Sequence, residues 1–125
     1  MVTFAKSIPL IFISTCWWHF LRSPSIAQIV VDDTLGNESS IVTPNVDLKN
    51  NTADYLEGGA VRGKNLFHSF SEFNIPEAAR VYFASPTGIE QIVTRVTGNN
   101  LSDIQGTLGV DGSANLFLLL SLIHI

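Results

Sequence analysis

The chain has 125 residues, 46% of them apolar and only 14% charged, with a formal net charge of −4. That length holds one domain. The apolar, charge-poor composition excludes a disordered tail, and the acidic balance excludes nonspecific nucleic-acid binding, which needs clustered Lys and Arg.

The first predicted element is an export signal. Met1 to Lys6 carries a positive charge, Ile8 to Leu21 is free of charged residues, and Ser25-Ile26-Ala27 has the small-x-small pattern of a cleavage site. Residues 1–27 are read as a secretory signal peptide, cut before Gln28. The apolar run is shorter than the ~20 residues that span a bilayer, so an integral membrane protein is not expected. Cleavage leaves five basic and eleven acidic side chains, a net charge of −6, and removes Cys16, the one cysteine. A small exported domain without disulfides points to a bacterial exoprotein.

Beyond Gln28 no stretch keeps the period of an amphipathic helix. Short runs rich in Val, Ile and Phe predict strands over 28–31, 40–43, 60–61, 65–70, 80–84, 91–97, 107–110 and 114–119. Turns are expected at Leu35-Gly36-Asn37, over 48–53 and 85–88, at Gly98-Asn99-Asn100 and at Asp111-Gly112. From Ile92 onward, short strands alternate with Gly and Asn turns. That rhythm suits the stacked coils of a parallel β-helix, and it suits a sandwich as well.

Chemistry-bearing residues do not converge. His19 lies in the signal and His124 at the chain end, which leaves His68 alone. No metal-ligand spacing occurs. Asp32 and Asp33 are adjacent, and strand alternation sends neighbours to opposite faces. Ser69 and Ser71 lie near His68 in sequence, but neighbours along a strand do not make a nucleophile and base. Gly58 to Lys64 lacks the G-x-x-x-x-G-K-[ST] spacing, because Asn65 follows Lys64, so tight turns are expected there. Phe67, Phe70 and Phe73 read as core rings; a carbohydrate-binding platform would need them exposed. No catalytic residue, cofactor or metal is expected, and the role is binding, not enzymatic.

Three blocks carry a resemblance. The segment from Gln28 to Ser40 resembles the mature start of filamentous haemagglutinin-type exoproteins, in particular those of cyanobacterial type. The stretch from Gly58 to Asn74 is similar to that family's most recognisable block, through Asn65, Leu66, Phe67, His68, Ser69, Phe70, Phe73 and Asn74. A third block runs from Ile92 past Arg95, Gly98 and Gly106 to Leu118, with Asn115 opening what resembles a terminal motif.

The resemblance implies a secretion domain over 28–119, followed by an aberrant tail over 120–125. The expected fold is all-β, a right-handed parallel β-helix incomplete at its C-terminus. The implied function is secretion and recognition in a two-partner system. Sec delivers the chain to the periplasm, and an outer-membrane transporter, a pore of the Omp85 type, recognises the domain. The chain then leaves and nucleates a surface β-helix adhesin. A free-standing adhesin fragment binding cell-surface glycans is the alternative. Two departures stand out: no Asn-Pro-Asn-Gly follows Leu119, and Ser85-Pro86-Thr87-Gly88 stands where some members have Asn-Pro-Asn-Leu. A truncated chain is expected on that ground.

Overall fold

The computed structural model describes residues 26–120 and, as backbone only, 123–124. Residues 1–25 of the expected signal peptide lie outside the described residues, and Ile26 and Ala27, just before the expected cut, lie within them. Within them the chain is all-β, without a closed barrel. Eleven strands run in order: β1 (Gln28–Val31), β2 (Ser40–Leu48), β3 (Asn51–Gly58), β4 (Ala60–Arg62), β5 (Asn65–Asn74), β6 (Arg80–Ala84), β7 (Gln91–Val96), β8 (Ser102–Asp103), β9 (Thr107–Asp111), β10 (Asn115–Leu120) and β11 (Ile123–His124). A 3-10 turn, Gly36–Glu38, interrupts the path from β1 to β2.

The first strands pair antiparallel and the later ones parallel. β2 and β3 form a hairpin in which Leu48 faces Asn51. Its two loop residues, Lys49 and Asn50, hold φ of 53° and 65°, the positive values that a tight two-residue hairpin turn demands. The turn expected over 48–53 is therefore confined to two residues, and strand β3 fills the rest. β4 and β5 form a second hairpin around Gly63-Lys64, so the glycine-rich stretch makes turns between strands.

From β5 onward, equivalent residues recur about one coil apart. Asn65, Gln91 and Asn115 share a register position in β5, β7 and β10, 26 and 24 residues apart. β6 pairs β9 in parallel, Val81 opposite Leu108, and Ile75 bridges Ile104 in parallel. Backbone bonds carry the stacking between strands: Glu90 N donates to Lys64 O at 2.9 Å, and Asn115 N to Glu90 O at 3.0 Å. β11 pairs β8, so part of the tail over 120–125 continues the parallel pairing.

The core follows these columns. Leu56, Leu66, Phe70, Phe73, Ile75, Val81, Phe83 and Ile92 are fully enclosed. Phe70 and Phe83 have ring centroids 6.5 Å apart, and Phe73 lies 5.4 Å from Phe70. Strict alternation would put Phe70 and Phe73 on opposite faces. A bulge resolves the conflict: Val30 faces Glu72 and Val31 faces Phe70, so Ser71 is skipped and both rings point inward. Phe67 precedes the bulge and sits on the outer face, partly exposed. The expectation that all three rings are core is corrected for Phe67.

Candidate functional site

Three features stand out on this scaffold: a buried histidine, a polar cluster beside β5, and the last coil of the stack. His68 points inward from β5 and is 2% exposed. Its Nδ1 lies 2.8 Å from the Ser40 hydroxyl on β2, and its ring is 5.1 Å from Phe83 and 6.0 Å from Phe70, centroid to centroid. Burial lowers its pKa from 6.5 to about 4, because an apolar surround penalises the cation. Nε2 has no hydrogen-bond partner. Ser40 and His68 thus pair, but no third group orients the ring, and nucleophilic chemistry needs one. Ser69, adjacent in sequence, faces the other way.

Gly59 explains why this ring fits. It holds φ of +87°, and a Cβ there would stand 2.6 Å from the Phe67 carbonyl oxygen and 3.0 Å from the His68 ring. Both the backbone angle and the space require glycine.

On the opposite face of β5, Asp32 gathers hydroxyls. Ser69 Oγ donates to its Oδ2 at 2.7 Å, Thr97 Oγ1 at 2.6 Å, and Thr34 Oγ1 donates to Oδ1 at 2.8 Å. Burial pushes this carboxyl upward, yet the bonds from Thr97, Ser69 and Thr34 prevail and hold it below the usual carboxylate range. Arg95 then clamps the hydroxyls: Nε donates to Ser69 Oγ at 3.0 Å and Nη2 to Thr34 Oγ1 at 2.8 Å. The cluster ties β1, β5 and β7 together. Among the described residues no group of three acidic, His or Cys side chains converges, around Asp32 and Asp33 included.

The other sequence-derived positions lie where neighbouring coils meet. Asn74 Oδ1 accepts the Asp103 amide at 2.9 Å. Gly98 and Gly106 lie where a Cβ would collide with the Ser71 carbonyl and with the Pro76 and Ala79 carbonyls. Asn65 and Asn115 share one register row with Gln91. The Ser40–His68, Thr34–Ser69 and Thr97–Asp32 bonds escaped the sequence reading, because the partners lie 28 to 65 residues apart.

Among the described residues, no strand lies over the last coil. β10, β9 and β11 are the last strands of their sheets. Leu66 and Ile92 are enclosed, but Leu116 in the same column is only partly buried. Phe117 and Leu119, facing outward, are 50% and 58% exposed. Among the described residues no helix is long and apolar enough to cross a membrane.

A family model described as the TPS secretion domain matches residues 27–119. Comparison with curated proteins and with solved structures gave no match. The match spans most of the chain and all the parallel columns from β5 to β10. The chain therefore belongs to the TPS secretion domain family, the secretion module of two-partner exoproteins, exported through the cell envelope with a dedicated transporter as partner.

Proposed function

We propose that this domain is the folding and recognition cap of a right-handed parallel β-helix adhesin. One observation carries the reading: among the described residues the parallel columns from β5 to β10 end in edges on β9, β10 and β11 that no further strand pairs. The antiparallel strands β1, β2 and β4 lie on the other side, where they occupy the positions a preceding coil would take. A further coil laid on β10 would enclose Leu116 and Leu120 as β7 encloses Leu66. Burial of that kind stabilises by roughly 25 cal/mol per Å² of apolar surface.

In this reading Sec exports the chain to the periplasm, and an outer-membrane pore of the Omp85 type recognises it. Unpaired strand edges suit recognition by strand addition. The domain binds and does not catalyse; the Ser40–His68 pair is enclosed and has no orienting group. The glycan-binding alternative is not favoured: of the three rings it would need exposed, Phe70 and Phe73 lie in the core and Phe67 alone reaches the outer face.

Expression in a Gram-negative host, with and without a co-expressed two-partner outer-membrane transporter, tests the reading. Release into the medium only when the transporter is present is the expected result. Release without it, or retention with it, overturns the proposal.

A further inference from the structure

The outer face of β5, β7 and β10 carries two successive rows. Phe67, Val93 and Phe117 share one register position; Ser69, Arg95 and Leu119 share another, two residues further on. Leu35, from the loop after β1, closes one side of a half-open groove of about 370 Å³ over this face. Phe67 and Val93 line its apolar floor, with Leu119, Arg62 and Arg95 around them.

Arg95 is the informative member. Its Nε and Nη2 are held by Ser69 and Thr34, which Asp32 fixes in turn. Nη1 has no partner among the described residues, and the two salt bridges found there, Arg62–Glu38 and Lys64–Glu90, do not involve Arg95. A planar guanidinium held in place with a free donor edge, at an apolar groove, is preorganised to receive a carboxylate. Arg62, the other arginine at the groove, is already paired with Glu38, so Arg95 is the cation the groove offers.

The spacing narrows the ligand. Strands rise about 3.3 Å per residue, so rows two residues apart lie about 7 Å apart. An extended peptide repeats that spacing between side chains i and i+2 on one face. We propose that the groove binds an extended segment of a partner protein in which a large apolar side chain stands two residues from a carboxylate. The apolar group lies on Phe67 and Val93, and the carboxylate meets Arg95. A side chain whose backbone stays in water suits a half-open groove, whereas a free hydrocarbon tail would remain partly wet.

Fluorescence anisotropy of the 125-residue chain with a fluorescein-labelled acetyl-Thr-Phe-Thr-Glu-Thr peptide tests this. Saturable binding is expected, weakened at least tenfold when the peptide's Glu is replaced by Gln and at least tenfold by Arg95→Gln. Arg80→Gln, far from the groove, leaves it unchanged. Because Arg95 also supports the Asp32 cluster, the wild-type chain is titrated in parallel by amide NMR, where shifts centred on Leu35, Phe67 and Val93 are expected. No saturable binding up to millimolar peptide, equal affinity for the Gln peptide, or shifts confined to another face each overturns the proposal. Octanoate binding more tightly than the peptide also overturns it, since the groove would then be a site for free amphiphiles.

Discussion

Acidification tests the enclosed histidine most directly. In the folded chain His68 has a pKa of about 4, against 6.5 when unperturbed. Between those values the unfolded chain binds a proton that the folded one refuses, so stability falls as pH falls. The contribution is fully present above about pH 6.5 and is lost progressively down to about pH 4. Each pH unit inside that window is worth up to about 1.4 kcal/mol. The linkage relation then gives a loss of about 2 kcal/mol by pH 5 and about 3 kcal/mol by pH 4. Above pH 5 most carboxylates remain ionised in both states, so the histidine dominates there. Urea unfolding from pH 7.5 to 5, for the native chain and for His68→Asn, isolates the effect. The native chain is expected to lose about 2 kcal/mol more than the variant over that range. Parallel stability curves for the two, or an NMR titration of His68 with a midpoint above 6, would refute the reasoning.

Three further outcomes follow from packing and polar contacts. Phe70→Ala, Phe73→Ala and Phe83→Ala each remove a fully enclosed ring and should cost about 3–5 kcal/mol in urea unfolding; Phe67→Ala, on the outer face, should cost clearly less. Gly59→Ala adds a Cβ against the Phe67 carbonyl at a positive φ, whereas Gly63→Ala, also at positive φ, meets open space. The first should destabilise by more than about 2 kcal/mol and the second by about 1. Asp32→Asn keeps the shape but removes the charge that accepts three hydroxyls. It should lower stability by about 1–3 kcal/mol at pH 7, with the deficit shrinking as pH falls below about 4.

Much of the strand order is legible in local residue types. The expected spans 28–31 and 80–84 coincide with β1 and β6, because Val, Ile and Tyr runs bounded by polar breakers need no distant partner to be recognised. β3 is not legible in this way. Asn51, Thr52 and Asp54 are turn-formers, and they become strand because Tyr55 and Leu56 pair with Tyr82 and Phe83 in β6; tertiary pairing overrides propensity. The orientation of Phe67 was hidden for a related reason. A spacing of three between phenylalanines says nothing about a skipped Ser71, and the bulge depends on β1. The His68–Ser40 and Asp32–Thr97 contacts join segments far apart in sequence, so only the folded chain shows them.

The bulge at Ser71 reaches beyond its own strand. Gly98 belongs to the segment after β7, and a side chain on it would run into the Ser71 carbonyl. In a stack, an irregularity in one coil becomes a boundary condition for the next, so the two positions form one heritable unit. An alanine at 98 would need the backbone at Ser71 to move as well, and a bulge shifted by one residue would change which carbonyl Gly98 meets. The register of β5 and the residue type after β7 are therefore constrained together, about one coil apart.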